Sequence, residues 1–289
     1  MKVLELNEKS VITDTLEGLV LANPELLVLE KNMIINKALA KANRVALVAM
    51  STAGNEPALT GYVGEGLLDI AVVGNMDSAP GPAAVLEAIG LADRGQGVLL
   101  VVLNNLGDIL TSNIVLKQAE KQGFPLRRVI VHDLRNAFEQ LGQGTVGVLP
   151  VLKIAGAAAA EGKSLAEIAE LAESCAGLQL TVGVPIAQTS VDEIVEAAVK
   201  DFVNKLQLEA GDTVLLLVNG NSNASLQEQL ILFRSCYLAF KQLEITVTGN
   251  ANDYFCGIPE LSVEICCVKL TEYMGSLWRK PCKAAYFKS

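Results

Sequence analysis

The sequence predicts an α/β protein of two α/β domains with mainly parallel sheets, and three features carry that expectation. Short, wholly apolar runs recur along the chain, amphipathic stretches separate them, and loops of small residues follow several of the runs. Val45 to Ala49, Ile70 to Val73, Val98 to Leu103 and Val129 to Val131 are the runs in the first half. Such continuity marks strands buried on both faces of a parallel sheet. Ala83 to Ala92 and Ile114 to Gln122 read as helices between them, which gives the alternation of βαβ units. Ser164-Leu-Ala-Glu167 and Ser190-Val-Asp-Glu193 are capping boxes and fix two helix starts. After Ser190 the residues Val191, Ile194, Val195, Ala198, Phe202 and Leu206 form one helical stripe, read as core-facing. Thr213 to Val218, Ile245 to Thr248 and Leu261 to Lys269 read as strands, and Ser225 to Gln242 as a helix. The expected division is a first domain over residues 1–176 and a smaller one over 177–289. No Pro/Ser-rich linker separates them.

Composition narrows the function classes. The chain has 289 residues, 51% of them hydrophobic, with a mean hydropathy of +0.38. No window reaches the roughly 18 consecutive apolar residues of a membrane helix, so the excess belongs in buried strands. The first residues are charged where a secretory signal would be apolar, and the expected location is the cytoplasm. A net charge of -9 without a Lys/Arg cluster argues against direct nucleic-acid binding. Six cysteines form no Cys-x-x-Cys pair and read as reduced core residues; adjacent Cys266 and Cys267 in a strand point to opposite faces. His132 is the single histidine, so a multi-His metal site is excluded, and it reads as a polar residue at a strand end.

Ligands of open parallel sheets gather beyond the carboxyl ends of the strands. Three loops meet that description: Met50 to Pro57, Gly74 to Pro82, and Asn104 to Ser112. The first, with Thr52, Ala53, Gly54 and Asn55, offers backbone N–H groups and small side chains, or is an ordinary strand-to-helix turn. It matches neither the phosphate loop nor the dinucleotide fingerprint. In the third loop Asp108 could take a proton from a substrate hydroxyl, or could cap the helix that follows. Asn219 to Ser225 is a weaker candidate, since Asn, Gly and Ser also make plain turns.

These loops, together with Gly61-Tyr-Val-Gly-Glu-Gly-Leu-Leu68, Gly95-Gln-Gly-Val-Leu-Leu100, Ala155-Gly-Ala-Ala-Ala-Ala-Glu-Gly-Lys-Ser-Leu165 and Gly211-Asp-Thr-Val214, resemble the dihydroxyacetone-binding subunit (DhaK) family of dihydroxyacetone kinases. The likeness implies two α/β domains, a homodimer and a substrate site at the three loops. In the family the first loop reads Gly-Gly-Gly-Ser-Gly-His-Glu-Pro and its histidine binds the ketone; Asn55 stands in that place here. Ala79 stands where the family has a substrate-contacting serine. Asn104, Gly107 and the acid/base aspartate, Asp108, are kept. Between Val182 and Val191 the chain lacks the segment whose histidine bonds covalently to the substrate carbonyl.

The resemblance implies a divergent member lacking both substrate-binding histidines. The first expectation is a noncatalytic or regulatory homologue, working through a partner such as a transcription regulator. The alternative is an active kinase subunit for a different small hydroxylated substrate held noncovalently, with Asp108 as base. No cofactor is expected in this chain; ATP or ADP, if used, would sit on a nucleotide-binding kinase partner. A purely structural subunit is the third reading.

Overall fold

The computed structural model describes residues 6–7, 9–76, 78–132, 146–185, 190–220, 224–253 and 261–289. In chain order the elements are helix α1 (Val11–Ala22), strands β1 (Leu27–Glu30), β2 (Met33–Asn36), β3 (Ala46–Ser51), β4 (Gly64–Glu65) and β5 (Ile70–Val73). Then come α2 (Pro82–Ala92), β6 (Val98–Leu103), α3 (Leu106–Gln122), β7 (Leu126–Val131), α4 (Val148–Ala160), α5 (Leu165–Gly177) and β8 (Gln179–Pro185). The remainder is α6 (Val191–Leu206), β9 (Thr213–Gly220), α7 (Leu226–Gln242), β10 (Thr246–Asp253), β11 (Leu261–Leu270), α8 (Glu272–Trp278) and β12 (Lys283–Ala284).

The first sheet runs β1-β2-β5-β3-β6-β7, and its β5-β3-β6-β7 core is parallel throughout. Every residue of β3 and β6 is buried because helices cover both faces. Leu47 and Ala49 pack with Leu149 and Leu152 of α4, whereas Val48 and Met50 pack with Val85 and Ala88 of α2. The alternation that would leave one face polar is therefore absent, which is what the uninterrupted apolar runs encode. Both expected capping boxes are present, at Ser164 and Ser190, and Ser225 makes a third.

The second sheet runs β10-β9-β11-β8, with β10 parallel to β9 and β11 antiparallel to both neighbours. Leu216 and Val218 face α6 and α7, where Phe202 and Phe240 stack with ring centroids 6.3 Å apart. Leu215, Leu217 and Cys266 point the other way, into the apolar cluster of the first sheet. Cys266 and Cys267 thus fall on opposite faces, and the five described cysteines are all buried. The chain's end returns to the first sheet: Trp278 and Cys282 join its core, β12 pairs with β4, and the buried Lys153 of α4 donates to the Lys280 carbonyl.

Two expectations need correction. The helix read as starting at Ile114 begins at Leu106, so the third loop shrinks to Asn104 and Asn105. Nothing in 106–113 breaks a helix except Gly107, and tertiary packing overrides that single weak residue. Asn219 and Gly220 are the end of β9, not loop, with Asn219 donating to Glu264 on the neighbouring strand at 2.6 Å. Residues 221–223 of that loop, Asp77 of the second loop, Cys256 and residues 186–189 lie outside the described residues.

Candidate functional site

The carboxyl ends of β3, β5 and β6 bring the three loops together. Backbone bonds stitch the first to the second: Gly74 N–H donates to the Ser51 carbonyl at 2.9 Å, and Ala53 N–H to the Asn75 carbonyl at 3.1 Å. The second loop turns back sharply, Asn75 N–H bonding the Ser78 carbonyl at 3.0 Å. A Cβ on Gly74 would collide with that same carbonyl, so only glycine permits the turn. Gly54 has a φ of +98°, and a Cβ there would lie 3.0 Å from Met76 Cε of the second loop. A Cβ on Gly107 would lie 3.6 Å from that of Ala79, so the second and third loops also touch. The fold thus assembles Thr52, Ala53, Gly54, Asn55 and Ala79 beside the α3 start that carries Asp108.

Asn55 is half-buried, and its Nδ2 donates to Thr52 Oγ1 at 3.4 Å, a long bond that leaves the amide's orientation loosely held. Asn104, also half-buried, donates its N–H to the Val131 carbonyl at 3.1 Å, anchoring the third loop on β7. His132 is exposed just past β7, with Nδ1 3.0 Å from the Ile130 carbonyl.

Asp108 does not cap α3. The N-cap is Asn105, which makes no side-chain cap bond, and Asp108 sits in the first helical turn. Its side chain is fully buried. Oδ2 accepts from Asn105 Nδ2 at 3.1 Å, and Oδ1 has no hydrogen-bond partner among the described residues. Burial pushes its carboxyl up to about 6, and the Asn105 amide opposes that rise. A carboxyl poised near neutral pH with an open acceptor can exchange a proton with a hydroxyl brought against it.

Two residues of the site escaped the sequence reading. Asn105 orients Asp108, and its own Oδ1 is buried without a partner among the described residues. Ser51, at the tip of β3, is buried with its Oγ likewise unpartnered. The signal for Ser51 was a hydroxyl closing an apolar run, two places before the position at which the DhaK-like loop carries its serine. Orphaned buried polar atoms are rare in native proteins and call for a ligand or water. No group of three His, Cys, Asp or Glu among the described residues could hold a metal ion.

Residues 17–191, which contain all three loops, match the Dak1 domain. The chain belongs to the Dak1 family. Among Dak1 relatives it is 30% identical to the dihydroxyacetone-binding subunit DhaK of the PTS-dependent dihydroxyacetone kinase of Lactococcus lactis, over 91% of this chain and 92% of that protein. It is 29% identical to the DhaKLM operon coactivator DhaQ of the same organism, over 91% of this chain and 94% of DhaQ. The crystal structure of the dihydroxyacetone kinase of C. freundii superposes with a TM-score of 0.88 at 22% identity, covering 100% of this chain and 61% of the kinase. The Dak1 fold, and with it the α/β architecture, is therefore shared. An enzyme's subunit and an operon coactivator stand at nearly equal identity to this chain, so overall similarity does not separate their roles.

Proposed function

We propose that this Dak1 protein is a noncatalytic, regulatory homologue of the dihydroxyacetone kinase binding subunit, which binds a small hydroxylated ligand noncovalently and acts through a protein partner. The observation that carries the reading is Asn55. An amide can hydrogen-bond a polar ligand but cannot shuttle a proton near neutral pH. The ligand class follows from the open atoms: Asp108 Oδ1 and Asn105 Oδ1 accept, and Ser51 Oγ does either. A polyol or ketose supplies the hydroxyl donors they lack, while an anion would meet the Asp108 charge.

The rim supports a partner. Leu106, Leu110 and Ile114 recur at four-residue intervals on α3 and are exposed, Leu106 at 74%; Met76 of the second loop is 50% exposed. An apolar stripe beside a polar site suits a protein surface more than water. The partner would be a transcription regulator. The chain itself is taken to be a cytoplasmic homodimer that contacts neither membrane nor nucleic acid.

Asp108 favours a second reading. Raised to about 6, it has the acidity of a general base, and the chain would then be an active kinase subunit for a different short polyol. ATP would sit on a nucleotide-binding partner docked at the same rim. A coupled assay with ATP, such a partner and a panel of short ketoses and polyols separates the two. The expected result is binding without turnover; turnover that disappears in Asp108→Ala would overturn the regulatory reading.

A further inference from the structure

Where the first loop runs into the buried turn that follows it, a half-open pocket of about 420 Å³ lies between that turn, α1 and the returning C-terminal segment. Its floor is Pro57, Thr60 and Gly61, all buried, and its walls are Gly18 and Leu19 of α1 and the ring of Tyr286. The floor and the Tyr286 wall are tight: a Cβ on Gly61 would meet Pro57 Cβ at 2.8 Å and Tyr286 Cδ2 at 3.0 Å. The α1 wall is open. Gly18 stands in the middle of α1, where glycine weakens a helix, and a Cβ built on it finds nothing within 4 Å. A side chain at this position would project into open space beside the pocket.

Two polar side chains line this space. Thr60 is 3% exposed and lines the pocket. Glu56 is half-buried; its carboxylate accepts one long bond, from Gly54 N–H at 3.3 Å, and no cation pairs with it among the described residues. The walls around them are apolar: Leu19, Ala22, Pro57 and the Tyr286 ring. The volume falls in the range of small-molecule sites.

We infer that this pocket binds small primary amines with an apolar body. The ammonium donates to the Glu56 carboxylate and Thr60 Oγ, and the body lies against Leu19, Pro57 and Tyr286. An anion is repelled by Glu56, and a neutral alcohol leaves that charge uncompensated, so the amine is the class that satisfies both groups. The inference stands on α1, Glu56 and the C-terminal segment, and is independent of the ligand proposed for Asp108.

Calorimetric titration of the full chain with 2-phenylethylamine, 2-phenylethanol and 3-phenylpropionate at pH 7.5 tests it. The amine is expected to bind about tenfold more tightly than the alcohol, and the carboxylate not at all. Glu56→Gln brings the amine down to the level of the alcohol. Gly18→Leu fills the pocket and abolishes binding of both, while raising the melting temperature because leucine is the better helix former. Equal affinity for amine and alcohol, absence of amine binding, or amine binding that survives Gly18→Leu would each overturn the assignment.

Discussion

Asp69 and Asp108 are both fully buried at the first sheet, one just before β5 at the strands' amino ends and one beyond their carboxyl ends, and they are built in opposite ways. Asp69 accepts from Arg44 Nη1 and Nη2, at 2.8 and 2.9 Å, and from Leu47 N–H at 2.9 Å. Its charge is answered from within the protein. Asp108 has a single neutral amide donor and an oxygen with no partner among the described residues. At one end of the sheet a buried charge is spent on locking β3 to β5; at the other it is left incomplete.

Breaking the satisfied aspartate should have the largest effect. Asp69→Ala strands the Arg44 guanidinium and the Leu47 N–H, and we expect a loss of about 3 to 5 kcal/mol in urea denaturation. A loss under about 1 kcal/mol would mean that water replaces the carboxylate at no cost.

Removing the unsatisfied charge should do the reverse. The folded carboxyl of Asp108 titrates at about 6 against 3.8 unfolded, so the folded state holds the proton more tightly. The stability this contributes is fully present below 3.8 and is lost as pH rises through about 6. Asp108→Asn is therefore expected to gain about 2 to 3 kcal/mol over the natural protein at pH 8, with the difference shrinking toward pH 4. Equal stability at pH 8 would show that the carboxylate is solvated after all.

The smallest effect sharpens the comparison. Asn105→Ala deletes the one donor that opposes burial, so the Asp108 carboxyl should move further up from about 6, followed by carbon-detected NMR titration. A midpoint that stays in place would assign the orientation of Asp108 to packing alone.

What could be read beforehand and what could not divide along the range of the interactions. The strands and helices of the first half followed from local pattern, because a strand covered on both faces must be apolar at every position, and Val98 to Leu103 is. The capping boxes at Ser164 and Ser190 were legible because they close within four residues. The start of α3 was not, since its N-cap Asn105 makes no side-chain cap bond and the helix as a whole is seated on β6, β7 and α2. The likeness of the loops to Dak1 relatives pointed to Asn55 and Asp108, but burial is a property of neighbours distant in sequence. That Asp108 is desolvated, that Asn105 holds it, that Ser51 is left with a free hydroxyl and that Gly18 and Tyr286 line one pocket were decided only when the chain folded. By itself the sequence determined the layers and the loops; the tertiary structure decided which polar atoms lose water without gaining a partner, because that depends on what the rest of the chain places around them.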